Sequence, residues 1–101
     1  MIARLWQRWT KPESAATYEL LVATKVLPSF EHLKGCKGAY LLRADRESET
    51  ELVTLTLFEV LQAVRRLAGE DHEAAVPPSE ARQLLARFDE RSKHYEIVLT
   101  P

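Results

Sequence analysis

The sequence predicts an α+β domain on the ferredoxin-like split βαβ plan, with helices on one face of a four-stranded antiparallel sheet. Three observations predict it. Apolar residues recur at every second position in some segments and at three- and four-residue steps in others. Proline and glycine punctuate the switches, at Pro12, Gly35 and Gly69. A chain of 101 residues, 46% hydrophobic and 29% charged, has the size and composition of one globular unit, residues 1–101, and no repeat or linker divides it.

Residues 2–9 are rich in β-formers at Ile2, Trp6 and Trp9 and read as a first strand. Thr10 and Glu13 have capping-box spacing, and Pro12 presets the φ of a first helical turn. The helix that follows puts Ala15, Tyr18, Leu21 and Val22 on one stripe, and Pro28 ends or kinks it. Gly35 and Gly38 bracket a turn, and residues 39–46 form a second strand. Glu47-Ser48-Glu49 connects it as a hairpin to a third, residues 50–58. Val60, Leu61, Val64, Leu67 and Ala68 then keep helical period, with Gly69 at the C-cap position. The stretch 70–78 reads as a loop. Ser79 caps a short helix with Ala81, Leu84, Leu85 and Phe88 on one face, and residues 93–99 alternate as the last strand.

The third strand bears on assembly. Its faces are Val53, Leu55, Leu57 and Leu52, Thr54, Thr56, Phe58, and neither is properly polar. Two helices cover one face of such a sheet, and an antiparallel sheet with a wet face alternates more cleanly. The second apolar face therefore calls for a partner. A homodimer packed sheet to sheet is the expected solution, giving a dimeric α+β barrel.

Composition excludes several functions. Fourteen basic and fifteen acidic residues leave a net charge of -1, which argues against nucleic acid or an anionic membrane as partner. No apolar run is long enough to span a membrane, and Arg4 and Arg8 interrupt any signal-like stretch. The single Cys36 cannot form an intramolecular disulfide, which fits a reducing cytoplasm. His32, His72 and His94 fall on separate elements, so no metal site is expected.

The opening Met1-Ile2-Ala3-Arg4-Leu5-Trp6, the joint from Leu57-Phe58-Glu59 to Ala63, Gly69-Glu70-Asp71 and the terminal His94-Tyr95-Glu96-Ile97-Val98 resemble the antibiotic biosynthesis monooxygenase-like family. The resemblance covers nearly the whole chain and implies a dimeric α+β barrel. It leaves the reaction open, because the superfamily contains quinone-forming oxygenases, haem-degrading enzymes and proteins of other kinds. Haem-degrading relatives use an asparagine on the first strand, a tryptophan in the second helix and a histidine beyond it. This chain has no asparagine, and those positions fall near Trp6 or Gln7, Leu67 and Pro77, with His72 in the neighbourhood. That speaks against haem breakdown. Quinone-forming relatives draw on asparagine, tryptophan, tyrosine and arginine. Trp6, Tyr40 and Arg4 or Arg43 suit a similar cavity, with Gln7 supplying the amide.

The candidate site residues follow. His94 and Glu96 point to one face of the last strand, so His94 is a candidate base oriented by a carboxylate, or else a half-buried strand histidine. His72, in Glu70-Asp71-His72-Glu73, is a second candidate base or part of a solvated loop. Trp6, Tyr40, Gln7 and Phe58 are candidate substrate-binding residues, although aromatics in a small domain also serve as core. The expected activity is cofactor-independent monooxygenation of a small aromatic or polyphenolic molecule. The alternative is a non-catalytic dimeric module that binds a small-molecule ligand or is associated with stress.

Overall fold

The computed structural model describes residues 1–68 and 79–101, and of Leu67 and Ala68 only the helical backbone. Gly69, His72, Pro77 and the expected loop 70–78 lie outside the described residues. β1 (Ile2–Thr10) lies in the middle of an antiparallel sheet and pairs along its whole length with β3 (Thr50–Phe58), from Ile2 opposite Phe58 to Thr10 opposite Thr50. β3 pairs on its other side with β2 (Cys36–Asp45), and Arg46 donates its backbone N–H to the Glu49 carbonyl at 3.0 Å to close the expected hairpin.

The free side of β1 holds two short strands rather than one. β4 (Leu85–Phe88) pairs with its Arg8–Thr10 end, and β5 (Lys93–Glu96) pairs with Ile2–Leu5. The split βαβ order is kept, β2-β3-β1 and then the β4/β5 edge, but the sheet has five strands where four were expected. Leu85 and Phe88 have helical spacing from Ala81, yet α4 (Ser79–Leu84) stops short of them. Ladder bonds offered by the edge of β1 outweigh local helical period there. β5 ends at Glu96 rather than Leu99. Beyond it, the Ile97 N–H donates to the Met1 carbonyl at 2.9 Å.

The first helical region is a chain of segments: a 3₁₀ turn at Pro12–Ser14, α1 (Ala15–Leu21), a π-helical stretch at Val22–Val26, and α2 (Leu27–Glu31). Pro28 does not end the helix, which continues through it to Glu31. The wider π turns come just before a residue that lacks an N–H and crowds the carbonyl four positions back. The expected capping box does not form, because Thr10 is the last residue of β1, set between β3 and β4, and Lys11 holds the N-cap position without a side-chain bond. Gly35 makes the turn with a left-handed φ of 88°, whereas Gly38 sits inside β2 at a bulge rather than at the end of the turn.

Two apolar clusters hold the helices on the sheet. Tyr18 and Val22 pack with Leu52 and Ala81, and Phe58 packs with Ala63 and Val64 of α3 (Leu61–Ala68). The register puts Ile2, Arg4, Trp6, Arg8 and Thr10 on this covered face, and Ala3, Leu5, Gln7 and Trp9 on the other. The other face also carries Val53, Leu55, Leu57, Tyr40 and Leu42, with Tyr40 and Leu42 about half exposed. Among the described residues no helix is long and apolar enough to cross a membrane.

Candidate functional site

The covered face of β1 presents Arg4, Trp6 and Arg8 in a row, each about 6.7 Å from the next at strand rise. Arg8 is only 1% exposed. Its Nε donates to the Tyr18 hydroxyl at 2.5 Å, and its Nη1 donates to the Trp6 carbonyl at 3.2 Å. The guanidinium carbon lies 4.5 Å from the centre of the Trp6 ring and 5.2 Å from that of Tyr18, within cation–π range of both. Trp6 is fixed in turn. Its Nε1 donates to the Asp89 carbonyl at 2.6 Å, and Phe88 of β4 meets its ring edge-on at 6.0 Å between centroids. Strand β4, which helical periodicity conceals, therefore supplies one wall beside Trp6.

Electrostatically this corner is cationic. Among the described residues no carboxylate pairs with Arg8. Burial lowers the pKa of the Arg8 guanidinium from its usual value, and the neighbouring Tyr18 partly offsets that. Burial raises the Tyr18 phenol above its usual range, while Arg8 pulls it back. Burial likewise lowers Arg4. Such a corner disfavours further positive charge.

His94 lies opposite Arg4 in the β1–β5 register, so it shares the covered face and stands one same-face step from the level of Trp6. It is half-buried and borders an open depression of about 790 Å³ formed by residues 88–95. Glu96 shares its face and is exposed.

The remaining sequence candidates are spread over the sheet. Phe58 shares the covered face but is wholly buried against Ala63 and Val64, at the Ile2 end. Tyr40 and Gln7 lie on the opposite face. Tyr40 is 52% exposed, and the Gln7 amide donates to Glu51 Oε2 at 2.9 Å. Trp6 and His94 are thus brought together, whereas Tyr40 and Gln7 are not, and His72 lies outside the described residues. Sequence reasoning missed Arg8 and its bond to Tyr18. The only available signal was an arginine two residues from Trp6, where it shares the tryptophan's face. Among the described residues no three His, Cys, Asp or Glu side chains cluster as metal ligands would.

No family model matches the chain, and no curated protein matches its sequence. Solved structures do. Rv0793 of Mycobacterium tuberculosis superposes with a TM-score of 0.67 at 16% identity, over 98% of this chain and 96% of that one. A candidate antibiotic biosynthesis monooxygenase of Bordetella bronchiseptica gives 0.61 at 22% identity, over 97% of each chain. A variant of MhuD, solved with two manganese protoporphyrin IX molecules bound per active site, gives 0.61 at 18% identity, over 100% and 98%. The chain has the antibiotic biosynthesis monooxygenase fold. Identities at this level carry the fold and not the chemistry.

Proposed function

We propose that the protein is a homodimeric, cytoplasmic oxygenase that acts on a small electron-rich aromatic molecule, of hydroquinone or anthrone type, without a bound cofactor. The observation that supports this reading is the β1–β5 register, which sets His94 beside Arg4 and one step from the Trp6 indole on the helix-covered face. The aromatic substrate lies along Trp6. His94 takes a proton from it, giving a carbanion or phenolate electron-rich enough to react with dioxygen, and the arginines of the covered face stabilise the developing negative charge. For an anthrone the ring CH₂ becomes C=O. One oxygen atom enters the product, the other leaves as water with the two hydrogens, and the substrate supplies all four electrons.

Oxygen uptake with a panel of hydroquinones and anthrones tests this. The expected result is consumption of one O₂ per quinone formed, falling at least about a hundredfold in His94→Ala, the usual scale for losing a general base. Uptake no faster than in buffer, or undiminished in His94→Ala, overturns it. A second reading, supported by the open depression beside His94, which needs no base to hold a ligand, is a binding protein that turns nothing over. It predicts thermal stabilisation by aromatic anions without oxygen uptake.

Porphyrin is not the ligand proposed here. Trp6, packed between Arg8 and Phe88, and Gln7 stand near the first-strand position with no asparagine between them, and Leu67 stands near the second-helix position with no indole to offer. The dimer rests on the half-exposed apolar side chains of the face opposite the helices, Tyr40 and Leu42 among them.

A further inference from the structure

We propose that the break between β4 and β5 holds a separate small-molecule site, on the sheet face away from the helices, for a small α-amino acid with an aliphatic side chain. Two observations carry this. The first is a notch in the sheet edge. From Arg8 to Leu5 the chain of β1 takes three steps, while the edge opposite takes five, from Phe88 to Lys93. Two residues are therefore extra, and the ladder is interrupted where they leave it, as at a bulge that re-aims side chains. The Asp89 N–H still donates to the Gln7 carbonyl at 3.0 Å, so Asp89 stays level with Gln7, and Lys93 stands opposite Leu5. Beside this notch lies a hollow of about 270 Å³, lined by Leu5, Gln7, Val53, Asp89, Lys93 and Tyr95. All six are half-buried or exposed, so the hollow has both room and access.

The second observation is the chemistry of that lining. Leu5 and Val53 are aliphatic, and a few polar groups of opposite sign stand around them, the composition that small-molecule sites share. Among the described residues neither the Lys93 ammonium nor the Asp89 carboxylate is in an ion pair. The Asp89 charge reaches Arg87, but that guanidinium donates to Glu49 at 2.6 Å. Lys93 and Asp89 stand at the levels of Leu5 and Gln7, which are about 6.7 Å apart at strand rise. A lone anion or a lone cation would lie beside a like charge at one of them, whereas a zwitterion meets both. Its carboxylate goes to Lys93 and its ammonium to Asp89. Gln7 adds a further acceptor for the ammonium, because its amide nitrogen donates to Glu51 Oε2 at 2.9 Å and leaves Oε1 over. The small volume limits the rest of the ligand to a short aliphatic chain against Leu5 and Val53. The hollow lies at the β5 border of the face expected to form the dimer seam, and His94 is on the other side of the sheet.

Leucine and its two singly charged analogues, isoamylamine and isocaproate, make the test, by titration calorimetry on the full chain at neutral pH. Leucine is expected to bind with a Kd of about 1 mM or tighter. Each analogue is expected to bind about fivefold more weakly, the scale of one partly exposed ion pair. Lys93→Gln is expected to weaken leucine about fivefold and leave isoamylamine unchanged, and Asp89→Asn to weaken leucine likewise and leave isocaproate unchanged. Both substitutions lie at the sheet edge outside the two apolar clusters, and Asp89→Asn keeps the backbone bonds to Gln7 and Trp6. No heat from leucine, as when a side chain of a second copy fills the hollow, overturns the proposal. So does equal affinity for leucine and both analogues, or an undiminished leucine affinity in either variant. None of these results bears on oxygen uptake, so a failure here and a failure of the oxygenase reading are told apart.

Discussion

The Nε of Arg8 donates to the hydroxyl of Tyr18 at 2.5 Å and so ties the middle strand of the sheet to the helix that covers it. Both groups are buried, which gives the bond its worth: a hydrogen bond to a charged group contributes about 2 kcal/mol, and its loss leaves the guanidinium less satisfied than before. Tyr18→Phe is therefore expected to lower unfolding stability by about that amount. Urea denaturation measures it, with a lower midpoint and an unchanged slope showing that the folded and unfolded states keep their compactness.

The same phenol sets an alkaline limit. Burial raises the Tyr18 pKa in the folded state above its ordinary value of 10.0, the Arg8 charge opposing in part. A raised folded pKa means the folded state holds the proton more tightly. The stability it contributes is complete below the unfolded pKa and is lost as pH rises through the folded one. Stability measured from about pH 8 to pH 11 is expected to fall more steeply for the native chain than for Tyr18→Phe. Parallel curves would show that Tyr18 does not titrate in this way.

Gly35 is a site where a methyl group has no room. Its φ of 88° is strained for any residue with a side chain, and a Cβ built there would lie 2.7 Å from the Ala63 Cβ of α3. The Gly35 carbonyl also accepts the Glu59 N–H at 2.9 Å, which ties this turn to the end of β3. Gly35→Ala is expected to cost about 2 to 4 kcal/mol, adding an unfavourable backbone region to overpacking against α3. Thermal or urea unfolding decides it. A change under about 0.5 kcal/mol, the scale of an ordinary surface substitution, would mean the turn relaxes freely.

The sheet face away from the helices is expected to be the dimer seam. Leu42 is 46% exposed beside Val53, on the face that also carries Leu55 and Tyr40. Leu42→Asp puts a charge into that face without touching the helix-side core. It is expected to convert a dimer to a folded monomer, seen as a halved mass in light scattering with unchanged far-ultraviolet circular dichroism. A native chain already monomeric at micromolar concentration would refute the dimer.

Much of the fold was legible because local and global signals agreed. The period-two run in residues 50–58 became β3, the polar Glu47-Ser48-Glu49 became its hairpin, and Tyr18 and Val22 packed as their helical stripe required. Legibility failed where neighbours distant in sequence competed with local preference. Leu85 and Phe88 carry helical spacing and became β4 because β1 offered an open edge. Thr10 has the chemistry of a helix cap but was taken up into the sheet. For the site, the strand alternation of Trp6 and Gln7 already put them on opposite faces, whereas the pairing that places Tyr40 with Gln7, away from His94, is not written in any local spacing.

By itself the sequence determined an α+β chain with a sheet apolar on both sides, since alternation and helical period are written in nearest neighbours. It could not say which side of β1 faces the helices. Arg4 and Arg8 alternate with Leu5 and Gln7, so polarity alone turns the arginine side toward water. The tertiary structure decided otherwise. Pairing Arg8 with Leu52 and Ile2 with Phe58 commits the even-numbered residues of β1 to the face that α1 and α3 cover. A one-residue shift in register would reverse every one of those side chains, and the packing of two whole clusters, not any local preference, fixes the choice. That choice puts a guanidinium beside two aromatic rings in the interior.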